Sequence, residues 1–213
     1  GKMCGNGIRC VGKFLYDHGM VDINEKDEIT IETLSGIKKL KAYTSGGKVN
    51  RLRVDMGKAI LDPKEIPVVL DGDKVVDRPV EIAGKNYNIT CVSMGNPHCV
   101  VFMDDIDNLD IETVGPEFEN DKLFPERVNT EFVTVLDDHT IKMRVWERGS
   151  GETWACGTGA CAVAVAACEN GFCKKGEDIK IKLKGGDLII NYTDETVYMT
   201  GNAEKVFEGE VEV

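Results

Sequence analysis

Two cysteines on matching glycine-rich turns are the residues of this chain best suited to chemistry. One turn reads Met-Cys-Gly-Asn-Gly at residues 3–7, and the other reads Ala-Cys-Gly-Thr-Gly at residues 155–159. Each turn precedes a stretch with helical character, and a thiol at a helix N-terminus lies in a positive field that favours its ionisation. Two such thiols suggest a base and an acid on either side of a substrate carbon. That is the chemistry of racemisation without a cofactor.

The backbone of the two turns could also bind a substrate. Unpaired N–H groups at the start of a helix can bind a carboxylate. Fixed dipoles on that carboxylate could stabilise a carbanion in a closed, dry site. Because no lysine stands in a recognisable cofactor frame, we expect no cofactor. One such turn could equally be a purely structural glycine turn, whereas two copies with cysteine in the same place favour function.

Three further segments carry polar side chains in suggestive places. In Met-Gly-Asn-Pro-His at residues 94–98, His98 follows the bend and could prime a thiol, although a lone histidine is more often structural. Glu147 and Arg148 end an alternating strand shortly before the second cysteine. There an arginine could bind a carboxylate through two parallel hydrogen bonds, and a glutamate could bind an ammonium group. If the pair is instead exposed on the surface, it would contribute little to stability. The Arg-Val-Asn segment at 127–129 is weaker, since an exposed loop explains it equally well.

The two turns belong to an internal repeat, which predicts the fold. The order turn, helix, strand, glycine hairpin, strand, strand and glycine occurs twice. Helices are predicted at residues 7–18, with Phe14 and Leu15 on the buried side, and at residues 159–170, where an all-apolar sequence predicts burial on every side. Each is expected to end at a glycine, Gly19 or Gly171. Strands are predicted at residues 28–33, 51–55, 87–93, 99–103, 131–135, 140–146, 179–183, 188–192 and 197–199.

Because these strands do not alternate regularly with helices, the sequence predicts an α+β fold with two pseudo-symmetric lobes and the thiols in a cleft. The repeat is unequal at its start. About 67 strand-rich residues precede the second cysteine in its copy, whereas three residues precede Cys4, and the chain begins with Gly1 rather than Met. We therefore expect the first lobe to lack its N-terminal part. The expected lobes are residues 1–57 with a final strand at 204–213, and residues 58–203.

Composition excludes several classes of function. A net charge of −11 argues against a nucleic acid or an anionic membrane surface as partner. Eight cysteines are present, but their spacing contains no CxxC pair of the kind that zinc sites use. Disulfide frameworks belong to smaller secreted chains with weaker cores. A hydrophobic fraction of 42% is ordinary for a globular protein, so a reduced, cytoplasmic protein is expected.

Five motifs, taken in order, resemble the diaminopimelate epimerases. They are Met-Cys-Gly-Asn-Gly, Met-Gly-Asn-Pro-His, Arg-Val-Asn, Trp-Glu-Arg-Gly and Ala-Cys-Gly-Thr-Gly. The combination is specific although each piece is not, and the resemblance runs from residue 2 to the last strand. It implies a cofactor-independent epimerase that interconverts LL- and meso-diaminopimelate in lysine and peptidoglycan precursor biosynthesis. It also implies that each lobe is a curved, mostly antiparallel sheet wrapped around a central helix.

The resemblance implies a role for each motif residue. Cys4 and Cys156 would be the acid–base thiols, and His98 and Glu147 would tune them. The implied substrate-binding residues are Gly5, Asn6, Asn96, Asn129, Glu147, Arg148, Gly157 and Thr158. Phe207 stands where the family has an aromatic residue linked to dimer formation, so a homodimer is expected. The family has further substrate-binding Asn and Gln residues upstream of its first cysteine, which leaves the activity of these 213 residues open.

Other readings of the same residues remain. A proline or hydroxyproline racemase would use the same thiol pair, but that family typically has His after its first Cys-Gly, where this chain has Asn6. The Glu147–Arg148 pair also suits a substrate with a second charged end. A different class is a non-catalytic domain in which the helix ends merely hold an anion, and an inactive fragment of the enzyme fold would look the same.

Overall fold

The computed structural model describes residues 4–23, 26–34 and 36–211. Across these ranges the chain forms twelve strands and three helices, which confirms the predicted α+β class. It divides into two compact units, the first comprising Gly1–Asp55 with Thr200–Val213 and the second comprising Met56–Met199. None of the helices in the described ranges is long and apolar enough to cross a membrane.

The first unit packs one helix on a three-stranded meander. Helix α1 (Gly5–Asp17) is followed by the strands β1 (Glu28–Thr33), β2 (Gly36–Ser45) and β3 (Lys48–Asp55), which pair antiparallel in sequence order. The turn between β2 and β3 is a glycine hairpin, in which Gly46 (φ +60°) and Gly47 (φ +75°) both adopt left-handed backbone.

The buried face of α1 differs from the prediction. Ile8, Arg9 and Gly12 are buried, whereas Phe14 is 51% exposed and stacks on the ring of His18. Gly12 lies so close to the sheet that an added Cβ would meet side-chain atoms of β2 and β3 at 3.0 Å. The reason is spacing, since positions 8 and 12 share one helix face while position 14 is turned about 200° from position 12. Prediction from residue type alone overlooked the glycine that sets the contact.

The second unit is built on a mixed but mostly antiparallel sheet. Its strands are β4 (Arg78–Ile82), β5 (Lys85–Ser93), β6 (Pro97–Phe102), β7 (Asn129–Asp137), β8 (Thr140–Glu147), β9 (Gly151–Thr153), β10 (Asp178–Leu183), β11 (Gly186–Tyr192) and the first half of β12 (Val197–Asn202). They are ordered β12-β11-β10-β8-β7-β6-β5-β4, with β9 paired to β8. The pairs β6–β7 and β8–β10 are parallel. The parallel pair β6–β7 brings residue 98 level with residue 129, so two of the candidate segments start side by side.

Helix α3 (Gly157–Glu169) is the central helix of this unit. Every residue from Ala160 to Ala167 is buried, which confirms the prediction made from its apolar sequence. Its small side chains let it pack against β5, β6, β7, β10 and β11. The helix ends at Glu169 with Asn170 as its C-cap, and Gly171 follows with φ +79°, the conformation expected of the predicted terminating glycine.

A third helix was not predicted. Helix α2 (Ile111–Glu119) contains Gly115 and Pro116, two residues that normally argue against a helix interior. Tertiary packing compensates, because Ile111 and Phe118 lie in the same buried cluster as strands of the sheet. The side chain of Asp110 caps the first turn by accepting from the backbone N–H of Thr113.

Candidate active site

The first cysteine caps helix α1 in the first unit. Cys4 has extended backbone (φ −131°, ψ 103°), and its Sγ accepts a hydrogen bond from the N–H of Gly7 at 3.3 Å. Asn6 is oriented by Arg9, whose guanidinium donates to Asn6 Oδ1 at 3.1 Å and to the carbonyl of Gly5 at 3.3 Å. Arg9 is only 6% exposed, and its position in the sequence gave no sign that it orders this turn.

The second cysteine caps helix α3 in the second unit with the same local geometry. Cys156 has φ −123° and ψ 108°, and its Sγ accepts from the N–H of Gly159 at 3.3 Å. The repeat found in the sequence is therefore a repeat of backbone conformation and of sulfur hydrogen bonding. In both turns the thiol lies over N–H groups at a helix start, where negative charge is stabilised.

The environment of Cys156 opposes the easy ionisation expected from its helix position. The residue is 5% exposed, and burial raises the pKa of its thiol well above the ordinary range. The nearby carboxyl groups of Glu131 and Glu147 add to this rise, whereas hydrogen bonds from Thr158 and Gly159 oppose it. Desolvation and two neighbouring acids thus outweigh the helix terminus, and the resting thiol is protonated at neutral pH.

This protonation predicts a pH profile for alkylation of Cys156. Because the thiolate is the nucleophile, alkylation by iodoacetamide should rise about tenfold per pH unit and continue to rise beyond about 8.5, the ordinary thiol pKa. Peptide mass spectrometry would follow the modification, with Cys156→Ala identifying the peptide. A plateau near the ordinary thiol value would contradict the prediction.

A chain of hydrogen bonds leads away from Cys156 into the core. The sulfur lies 3.6 Å from Thr158 Oγ1, which accepts from Asn96 Nδ2 at 3.3 Å. Asn96 Oδ1 lies 3.1 Å from His98 Nε2, and His98 Nδ1 lies 2.7 Å from Glu131 Oε1. His98 is fully buried in β6 rather than at the bend, because Pro97 already begins the strand. Both of its ring nitrogens are engaged, so it reaches the sulfur only through Asn96 and Thr158.

Glu131 belongs to this series of hydrogen-bonded residues, and the sequence analysis did not identify it. It lies on β7, two residues after Asn129, and alternate residues of a strand point to the same face. Extending the Arg-Val-Asn motif by two positions would therefore have placed a carboxylate beside the candidate asparagine. Glu131 is completely buried and contacts His98 directly, so it is part of the candidate site.

Asn129 ties the Glu147–Arg148 segment to the Asn-Pro-His segment. Its Oδ1 accepts from the N–H of Arg148 at 2.9 Å, and its Nδ2 donates to the carbonyl of Pro97 at 3.0 Å. Glu147, next to it, accepts a hydrogen bond from the hydroxyl of Thr153. Three motifs that are far apart in sequence are thus joined in the second unit.

Glu119 is a second buried acid, and no sequence motif indicated it. It ends helix α2 and accepts from three donors: Trp146 Nε1 at 2.7 Å, Arg127 Nη1 at 2.9 Å and the N–H of Gly149 at 2.9 Å. Two of these donors, Trp146 and Gly149, lie on either side of Arg148 in the sequence. The guanidinium of Arg148 itself donates to the carbonyl of Glu126. Glu119 therefore fixes the backbone that presents Arg148.

The structure gathers most of the predicted site residues in the second unit, and Cys4, Gly5 and Asn6 lie in the first. Gly157 is the first residue of α3, directly after Cys156. Phe207 lies in the irregular segment 203–211 and is 86% exposed. Its part in a dimer stays a prediction. Among the described residues, no cluster of three or more metal-ligating side chains occurs.

Comparison with known proteins agrees with the motifs. The family model of diaminopimelate epimerase matches residues 1–61 and 90–206. A diaminopimelate epimerase of Agathobacter rectalis is 51% identical over all of this chain and 76% of its own length. One of Acetivibrio thermocellus is 52% identical over all of this chain and 75% of its length, and one of Methanococcus maripaludis is 50% identical.

Solved structures with the same fold include a probable proline racemase and a hydroxyproline epimerase. A probable proline racemase from Agrobacterium radiobacter superposes with a TM-score of 0.75 at 16% identity, over all of this chain and 68% of the other. A hydroxyproline epimerase from Agrobacterium vitis gives 0.70 at 15% identity, over 94% of this chain and 64% of the other. At this identity the likeness establishes the fold.

Proposed function

Because the chain belongs to the diaminopimelate epimerase family, a family of isomerases, we propose that it interconverts LL- and meso-diaminopimelate without a cofactor. The observation that carries the proposal is the matched capping geometry of Cys4 and Cys156. Each sulfur accepts one helix-start N–H at 3.3 Å, and this hydrogen bond suits an acid–base thiol because it stabilises the thiolate form.

The proposed reaction is a two-base proton transfer at the α-carbon. One cysteine, as thiolate, removes the α-proton, and the other, as thiol, delivers a proton to the opposite face of the carbanion. Helix-start N–H groups at Gly5, Asn6, Gly157 and Thr158 stabilise the negative charge that spreads onto the substrate carboxylate. The mechanism requires that both thiols reach the same α-carbon. The raised pKa of Cys156 fits the role of the proton donor in the resting enzyme.

We propose diaminopimelate rather than proline as the substrate because of the residues in the second unit, which carries Cys156. Glu147 and Arg148 offer opposite charges, suited to the ammonium and carboxylate of a second amino-acid centre. Asn96 and Asn129, held by the contacts described above, present amides nearby and complete the proposed substrate-binding set. His98 and Glu147 are the proposed tuning groups, His98 through Asn96 and Thr158, and Glu147 through its charge. Asn6 follows the first Cys-Gly, where proline racemases typically have histidine.

The reaction is placed in lysine and peptidoglycan precursor biosynthesis, and therefore in the cytoplasm, on the strength of the family resemblance. A homodimer involving Phe207 is proposed on the same ground. The negative net charge supports a small-molecule substrate rather than a nucleic acid or a membrane as partner.

The direct test is hydrogen exchange coupled to inversion. The 213-residue chain is incubated in deuterated water with LL-diaminopimelate, and in parallel with L-proline and trans-4-hydroxy-L-proline. Mass spectrometry reports deuterium at the α-carbon, and chiral chromatography reports the stereoisomers formed. The proposal expects deuterated meso-diaminopimelate and no exchange in the cyclic substrates. Exchange in the cyclic substrates alone would favour the racemase alternative, and exchange in none of them would favour an anion-binding fragment.

A further inference from the structure

The carboxyl group of Glu131 is the most unusual polar group in the second unit. Its side chain has no exposed surface, and its Oε1 contacts His98 Nδ1 at 2.7 Å. Its other oxygen, Oε2, has no hydrogen-bond partner among the residues that the structure describes. A buried carboxyl oxygen without a partner is costly, so its retention needs an explanation.

The same carboxyl group lies against the turn that carries the thiol. A Cβ added to Gly159 would lie 2.6 Å from Glu131 Oε1 and 3.2 Å from Cys156 Sγ. The glycine of the Ala-Cys-Gly-Thr-Gly motif therefore leaves the space that Glu131 fills. One acid thus touches both His98 and the first turn of α3.

The hydrogen bonds between Glu131 and Cys156 have a direction. Asn96 presents Oδ1, which carries no hydrogen, to His98 Nε2 at 3.1 Å, so Nε2 must bear the proton. Asn96 Nδ2 donates in turn to Thr158, which leaves the Thr158 hydroxyl hydrogen to point at the sulfur. Every donor then points toward Cys156, and such a chain stabilises negative charge on the sulfur.

We propose that Glu131 is a positioning residue that holds the His98 ring with a proton on Nε2. In this way Glu131 sets the direction of the hydrogen bonds that run from His98 to Cys156. One proton is held between Glu131 Oε1 and His98 Nδ1, which leaves Nε2–H as the donor to Asn96. The inference rests on the proposed function, because it assumes that Cys156 changes its protonation state during turnover.

The charges around Glu131 are consistent with a shared proton. Burial raises the pKa of Glu131, the neighbouring His98 opposes the rise, and Glu147 on β8 adds to it. The other titratable groups near Glu131 are Cys156 at the start of α3 and Cys99 on β6, which lies on the opposite face of the sheet, and burial raises the pKa of both thiols. With protonated thiols nearby, a carboxyl group that shares a proton with the histidine is favoured over an isolated buried carboxylate.

Two substitutions separate hydrogen bonding from packing. Glu131→Met fills a similar volume but cannot bond His98, whereas Glu131→Gln can donate to Nδ1 and keep the proton on Nε2. We expect kcat for diaminopimelate to fall on the order of tenfold or more in Glu131→Met, with KM within about twofold, and most of the loss to be recovered in Glu131→Gln. Glu169→Met is the matched control, since Glu169 ends α3 and is bound by Lys74 and Tyr192. Its kcat should be unchanged.

The second measurement needs no substrate. Proton–nitrogen correlation spectra of the histidine-labelled chain, assigned with His98→Asn, show which ring nitrogen carries hydrogen. We expect Nε2–H in the wild type and in Glu131→Gln, and mixed tautomers in Glu131→Met. An unprotonated Nε2 in the wild type, or full kcat in a folded Glu131→Met, would overturn the proposal.

The two proposals fail separately. If Glu131→Met does not fold, the wild-type spectrum still decides, because Nε2–H supports the proposal and a bare Nε2 refutes it. If the wild-type chain does not invert diaminopimelate, the proposed function fails whatever the spectra of His98 show.

Discussion

Replacing either Cys4 or Cys156 with alanine should abolish the inversion of diaminopimelate. Inversion needs a base on one face of the α-carbon and an acid on the other, so one thiol alone cannot complete it. A positioned acid or base is worth about 10²–10⁴-fold in rate, and each variant should lose at least that much. The losses should not add in the double variant, because either single change already removes the reaction.

Exchange of the α-hydrogen, measured separately, should distinguish the two variants. Each thiol faces the hydrogen of one epimer, so the remaining thiol can return deuterium only to the face from which it took the proton. Residual exchange without inversion must therefore be confined to one epimer, and that epimer must differ between Cys4→Ala and Cys156→Ala. Deuterium content and stereoisomer composition, measured on the same samples, would resolve this.

Two other cysteines provide matched controls. Cys10 lies on the exposed side of α1, and Cys168 lies near the end of α3, so each shares a helix with one candidate thiol. Cys10→Ala and Cys168→Ala should retain wild-type inversion. Inversion at the wild-type rate in Cys4→Ala or Cys156→Ala would exclude the two-thiol mechanism.

The sequence revealed those parts of the site that are encoded locally. Both cysteine turns were predicted because a glycine-rich helix start has a short-range signature, and the structure gives them the same capping geometry. The buried helix α3 was likewise predictable, since an all-apolar segment leaves no face for solvent. Glu147 ends its strand as the alternation of β8 indicated.

The features that were missed are set by tertiary packing. Helix α2 contradicts its own local propensities and depends on contacts with the sheet. The strands β4 and β9 were not predicted, and β9 is only three residues long, whereas β2 was implied by the order of the repeat but given no bounds. Glu119 meets Trp146 and Gly149 from 27 and 30 positions away, a distance at which sequence patterns carry no information. Helix periodicity could have corrected the buried face of α1, whereas residue type alone could not.

Gly115→Ala should destabilise the protein strongly, because Gly115 is where α2 meets the sheet. An added Cβ would lie 2.3, 2.4 and 2.6 Å from ring atoms of Trp146, and an indole ring cannot bend away. Overpacking of this kind costs about 3 kcal/mol, which exceeds the roughly 1 kcal/mol that alanine gains over glycine in a helix. We expect the melting temperature to fall on the order of 5–10 °C.

The same substitution should affect the proposed substrate site through Glu119. If α2 moves away from Trp146, the bonds from Glu119 to Trp146 and to the N–H of Gly149 lengthen, and the backbone that presents Arg148 loosens. KM for diaminopimelate should then rise more than kcat falls. Trp146→Leu, which opens the space, should recover stability in the Gly115→Ala background, so the two changes should cost less together than their sum. Gly209→Ala, where an added Cβ meets nothing within 4 Å, should melt like the wild type. A Gly115→Ala protein with the wild-type melting temperature would show that α2 is not held by close contact with Trp146.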